Sequence, residues 1–153
     1  MKCTNARLLS MAMLLFVVGM LPQIGRADDI DIRGINFKPS RPLDGDFLQV
    51  AVAEPAVDSI AILQQAADTL NYYPKLRVKI VGYTDDRECF GNNCIQLSLR
   101  RAKYVLDWFI HHGVAIQQLD GPEGQGSIGP VADNAMEPGR ARNRRVELQV
   151  VSY

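Results

Sequence analysis

The stretch Leu76-Arg-Val-Lys-Ile-Val-Gly-Tyr-Thr-Asp85 decides the fold. Leu76, Val78 and Ile80 alternate with Arg77 and Lys79, the period-two pattern of a strand with one buried face. It ends in Gly82-Tyr83-Thr84-Asp85, a turn. Downstream, Leu99, Ala102, Leu106 and Phe109 recur at i, i+3, i+7 and i+10, so a helix follows the strand. His111 and His112 occupy its last turn, and Gly113 ends it as a left-handed cap. Upstream, Ile60, Leu63, Ala67 and Leu70 repeat the same spacing and predict a helix over 56–71, with Pro55 at its first turn. Ile30, Ile32, Ile35 and Phe37 predict a first strand whose alternation slips at Gly34. Residues 38–53 read as a loop with a short strand from Phe47 to Val52. Residues 119–143, rich in Gly, Pro, Asp and Asn, read as loop with a short helix near 138–143. Val146, Leu148 and Val150 alternate in a final strand. Strands interleaved with two long helices define an α+β class: a two-layer sandwich with two main helices packed on a mixed β-sheet.

The N-terminus reads as an address. Lys2 and Arg7 precede an apolar run at residues 8–21, and Gly25-Arg26-Ala27 supplies small residues for cleavage after Ala27. A retained anchor is the alternative, but 14 apolar residues fall short of a spanning helix. Residues 1–27 are therefore expected to be a signal peptide and 28–153 one domain, with no transmembrane segment in the mature chain. Losing Lys2, Arg7 and Arg26 leaves fourteen basic residues against seventeen acids, a net charge of −3. That balance argues against nucleic acid, which needs a dominant basic field. The positive charge is nonetheless clustered, at Arg100, Arg101 and Lys103 and again at Arg140, Arg142, Arg144 and Arg145. Such clusters serve either as solvated surface or as two segments converging on an anion.

Export implies an oxidising compartment, and the mature chain holds two cysteines, Cys89 and Cys94. They predict a disulfide that would stabilise the fold by about 2 kcal/mol. A metal site is the alternative, although His111 and His112 lie a full helix away.

No catalytic constellation emerges, and no cofactor or metal is implied. Gly124-Gln-Gly126-Ser-Ile-Gly129 has the glycine spacing of a dinucleotide loop, but Pro130 follows at once and no helix opens inside it. Ser98 lacks a nucleophile-elbow setting, and neither cysteine has a base beside it. Asp85, Asp86 and Glu88 do not follow calcium-loop spacing. Asp107 and His111 share a helix face, which a charge pair and a favourable helix dipole explain.

Four pieces in order carry more information: V-x-I-x-G-Y-T-D (Val78–Asp85), L-S-L-R-R-A (Leu97–Ala102), G-x-G-x-x-x-P-x-A-D-N (Gly124–Asn134) and G-R-x-x-N-R-R-V-E (Gly139–Glu147). In that order the chain resembles the OmpA/MotB/Pal family of peptidoglycan-associated domains, over about residues 33–151. The resemblance implies an OmpA-C-like fold in the periplasm or at the periplasmic face of the outer membrane. It implies non-catalytic binding of the peptidoglycan stem peptide, chiefly the side chain of meso-diaminopimelate. Asp85 would receive that ligand's ammonium and Arg101 its carboxylate, with Arg101 expected in the first turns of its helix. Thr84, Asn143 and Arg144 match positions lining the same region, although Asn143, Arg144 and Arg145 could equally lock the last strand in place. Two positions depart from the family: Cys94 replaces a usual Asn, Tyr83 a usual His, and the loop 86–93 is long. That loop motivates the alternative of an envelope module recognising a partner protein.

Overall fold

The computed structural model describes residues 34–152. The expected signal peptide and the first part of the expected first strand lie outside the described residues. Chain order is β1 (Ile35–Asn36), α1 (Leu48–Ala51), α2 (Ala56–Tyr72), β2 (Arg77–Gly82), α3 (Asn92–His111), β3 (Leu119–Gly124), α4 (Glu137–Asn143) and β4 (Arg145–Ser152). The sheet is ordered β1-β4-β2-β3: β4 runs antiparallel to β1 and β2, while β3 lies parallel to β2. The expected α+β sandwich on a mixed sheet is what the chain adopts.

β2 is the central strand, and Val78 and Ile80 are fully buried beneath the helices. α2 has no side-chain cap of its own at Pro55, although Glu54 Oε2 accepts the Ala56 N–H at 3.1 Å. Burial holds it: Leu63, Ala66, Ala67 and Leu70 face the core, and each large apolar side chain so buried contributes about 1.5–3 kcal/mol. α3 buries Leu97, Ala102, Val105, Leu106, Trp108 and Phe109, while Leu99, expected on that face, is only half-buried. The helix lies so close to β2 that a Cβ at Gly82 would collide with the Ser98 carbonyl. Gly113 adopts φ 84° and lets Val114 N–H return to Phe109 O at 3.0 Å, closing α3 as its sequence predicts.

Two segments differ from their sequence reading. Phe47–Val52 is expected to be a strand, but Leu48–Ala51 forms one helical turn and only Val52 bridges Phe37. Leu48 and Ala51 stand three residues apart and both reach the core, which a helical turn permits and a strand does not. Within the expected loop 119–143, Leu119–Gly124 is an edge strand paired with β2. Its composition, Gly121-Pro122 included, hides it. Pro122 is tolerated because an edge strand has a side with no ladder to complete, and the β2–β3 register shifts there.

Tertiary contacts pin the connections. Gln118, at the end of a 3-10 turn, donates from Nε2 to the carbonyls of Leu70, Tyr73 and Leu76 and so fastens α2 to β2. The segment 38–46 docks on α3 through Arg100 to Pro42 O and the Tyr104 hydroxyl to Leu43 O. That docking closes one end of the sandwich above the Tyr83–Asp85 turn.

Candidate functional site

Arg101 is the largest fully buried side chain among the described residues. Its helix begins at Asn92, so it lies in the third turn of α3 rather than the first turns. The helix starts earlier than the Leu97-Ser98 motif suggests, directly after Gly91 and with Cys94 of the Cys89–Cys94 disulfide in its first turn. All five guanidinium donors are engaged. Nε donates to Arg41 O at 2.8 Å, and Nη1 to Tyr83 O at 2.9 Å and Glu88 Oε1 at 2.6 Å. Nη2 donates to Lys38 O at 3.1 Å and to Glu88 Oε2 at 2.8 Å. Phe37 lies beneath, its ring centroid 5.3 Å from the Arg101 Cζ.

Glu88 is the other half of this arrangement. Its carboxylate, 2% exposed, accepts four hydrogen bonds: two from Arg101, one from Asp85 N–H at 3.2 Å and one from Ser40 N–H at 2.8 Å. Ser40 aims its amide from a left-handed backbone, φ 56°, which a residue with a Cβ adopts at a cost of about 1 kcal/mol. In the sequence Glu88 stands out only as one of three neighbouring acids, with Asp85 and Asp86. The described residues contain no group of three or more acidic, His or Cys side chains placed to hold a metal.

Asp85 stands beside Glu88 and is equally buried, 2% exposed. Its Oδ1 accepts the N–H groups of Arg87 and Glu88 at 2.7 and 2.8 Å, and its Oδ2 accepts Arg144 Nη1 at 2.8 Å. Burial pushes the Asp85 carboxyl up. The Arg144 guanidinium and the two backbone amides outweigh it and hold the group below the usual carboxylate range. Arg144 also donates to Phe37 O and to Glu137 Oε1.

Asp85 and Arg101 thus share one site, joined through Glu88, which takes the Asp85 amide and the Arg101 fork together. Each is ion-paired to a different residue, Asp85 to Arg144 and Arg101 to Glu88. Thr84 precedes them, and its Oγ1 is buried without a hydrogen-bond partner among the described residues. Asn143 is placed differently. Its amide accepts Val131 and Ala132 N–H and donates to Ala132 O and Asn134 Oδ1, which locks the loop before α4. Arg145 stacks on Tyr83, Cζ 3.8 Å from the ring centroid, and pairs with Glu147 on β4. The disulfide forms between Cys89 and Cys94 as expected, with Cα atoms 5.1 Å apart. His111, expected to pair with Asp107, takes the Asp107 carbonyl instead, and the Asp107 carboxylate binds Lys103.

The architecture is an α+β domain, a mixed sheet under two long helices, with opposed charges gathered where β2 meets α3. The chain belongs to the OmpA family, whose pattern matches residues 57–144. It is 47% identical over 89 residues to the peptidoglycan-binding protein ArfA of Mycobacterium tuberculosis, a match covering 58% of this chain and 27% of ArfA. Against outer membrane porin F of Pseudomonas fluorescens the identity is 40% over 93 residues, covering 61% of this chain and 28% of the porin. The matched region therefore spans little more than a quarter of these two relatives. The peptidoglycan-associated lipoprotein of Burkholderia pseudomallei superposes with a TM-score of 0.62 at 28% identity, covering 78% of this chain and 90% of that one. The C-terminal domain of Helicobacter pylori MotB shares the fold, with a TM-score of 0.63 over 78% of this chain and 84% of that one, at 24% identity.

Proposed function

We propose that this domain binds peptidoglycan without cleaving it, taking up the meso-diaminopimelate side chain of the stem peptide at the Thr84–Asp85 turn and Arg101. The observation that carries the reading is the carboxylate seat between Arg101 and Asp85, where a guanidinium fork and the Ser40 and Asp85 amides converge on the carboxylate of the chain's own Glu88. A side chain ending in both an ammonium and a carboxylate needs such a seat with an acid beside it, and Asp85 is that acid. Thr84 Oγ1, buried and without a partner among the described residues, offers a further polar contact at the same turn, and Arg144 orients Asp85. Asn143 acts at one remove, through the loop it holds. The names of ArfA, peptidoglycan-binding, and of the Burkholderia lipoprotein, peptidoglycan-associated, support peptidoglycan as the polymer bound. The chain would be exported by residues 1–27 and would act in the periplasm or at the inner face of the outer membrane, as an anchor rather than an enzyme.

Charge-assisted contacts of this kind contribute about 1.5–3 kcal/mol each, so a single site would bind on the order of millimolar. Retention would come from a polymer that offers many sites. Pull-down on purified sacculi tests it, comparing wild type with Asp85→Asn and Arg101→Lys after each variant's melting temperature shows that it folds. Wild type should be retained and both variants largely lost, with no muropeptide released. Equal retention of all three folded proteins would sink the reading.

Phe47, 77% exposed, favours a second one. With Tyr104 and Trp108 it borders a groove of about 450 Å³ between α1 and α3. An envelope protein docking there would be captured by wild type and lost with Phe47→Ser, leaving sacculus binding untouched.

A further inference from the structure

The buried carboxylate on Arg101 belongs to the chain itself. We infer that Glu88 is an internal stand-in for a ligand's carboxylate: it fills a receptor made of the Arg101 fork and the Ser40 and Asp85 amides, and an incoming carboxylate binds by displacing it. The ligand's identity rests on the reading above; the receptor does not.

Three observations carry it. The seat is complete without any contribution from Glu88's backbone. Two guanidinium donors and two main-chain N–H groups surround a single carboxylate, the donor set by which proteins bind free carboxylates. The Ser40 amide meets the seat from a left-handed backbone, and strain of this kind collects at binding sites. The remaining Arg101 donors are tied to the carbonyls of Lys38, Arg41 and Tyr83, which hold the fork in place whatever carboxylate occupies it.

The occupant, in contrast, is a side chain on an irregular segment, outside any strand or helix. Glu88 lies in the irregular segment between β2 and α3, flanked by exposed Asp86, Arg87 and Phe90. Its backbone is held at one side by Asp85 Oδ1 and at the other by the Cys89–Cys94 bridge. Exchange conserves charge: one carboxylate leaves the fork as another arrives, so Arg101 is never left buried and unpaired, the state that makes broken buried ion pairs costly. A free ligand must outcompete a tethered one, and its apparent affinity falls by the fraction of molecules in which the seat is open. Glu88 thereby sets a selectivity filter. A cationic side chain with no carboxylate cannot displace it, and the disulfide sets how readily it yields.

The experiment is chemical rescue. Glu88→Ala empties the seat, and acetate at about 0.2 M, against chloride at equal ionic strength, should raise the variant's melting temperature by about 2 °C while leaving wild type unmoved. An equal response of both proteins, or none, would overturn the inference. Should the variant not fold, wild type decides. On titration with an alanyl-γ-glutamyl-diaminopimelate tripeptide, the Ser40 amide, the Arg101 Nε–H and the Glu88 carboxyl carbon should shift together and saturate. Saturable shifts elsewhere with these three unmoved, or no saturable shift at all, would overturn it. In a folded Glu88→Ala protein the same tripeptide should bind about tenfold tighter or more. Acetate rescue without tripeptide binding to either protein would keep the receptor and end the peptidoglycan reading instead.

Discussion

Glu88 and Arg101 form a bidentate ion pair, 2.6 and 2.8 Å, in which neither side chain is more than 2% exposed. The pair joins the β2–α3 turn, the 38–41 segment and the middle of α3, so the site and one end of the core share the same atoms.

Removing the guanidinium should therefore unfold more than it disarms. Arg101→Met leaves the buried Glu88 carboxylate without its counter-charge and the Arg41 and Tyr83 carbonyls without their guanidinium donors, and urea unfolding should show a loss of about 3–5 kcal/mol. A cycle with Glu88→Gln should give a coupling of at least about 1 kcal/mol; additive losses would mean that the two side chains act independently.

Acid should weaken the fold through Asp85. Arg144 and two backbone amides hold its folded-state pKa below the ordinary value of 3.8. The stability it contributes is therefore fully present above about pH 4 and is lost as pH falls through the lowered folded value. Glu137, held low by Arg144 and Arg140, acts with the same sign. Urea midpoints should fall between about pH 5 and pH 2, and Asp85→Asn, weaker at neutral pH, should show a shallower fall. An unchanged slope in that variant would place the acid sensitivity elsewhere.

Reducing the disulfide, or replacing Cys89 and Cys94 with Ser, should cost about 2 kcal/mol, the chain-entropy value for so short a ring. The Ser40 amide should also exchange faster with solvent, because Glu88 is the group that shields it. Unchanged protection at Ser40 would separate the bridge from the seat.

Gly82→Ala probes the packing of α3 on β2. The added methyl meets the Ser98 carbonyl, a backbone group with nowhere to go. The expected loss is on the order of 3 kcal/mol. Because Gly82 O accepts Gln125 N–H at the same place, β3 should loosen along with α3. A melting temperature within about 1 °C of wild type would contradict the close approach.

Much of this was legible in the residues. Strict alternation in 76–80 and 146–150 and the helical repeats of 60–70 and 99–109 specify β2, β4, α2 and α3 because periodicity is a local property: side chains two or about 3.6 positions apart share a face whatever the rest of the chain does. Four motifs in order marked the family, and Gly113 announced the end of its helix. The edge strand β3 stayed hidden because its Gly-Pro composition resembles a loop, and only pairing with β2 makes it a strand. The partners of the charged residues were hidden more deeply. Asp85 and Arg101 read as a couple, yet folding gives Asp85 to Arg144, 59 positions away, and Arg101 to Glu88. Which of several nearby opposite charges a guanidinium takes depends on distances of a few ångströms and on which carbonyls already hold it. Ser40, with no side-chain role in the seat, left no trace in the sequence, because its backbone conformation is imposed by where residues 38–46 dock on α3.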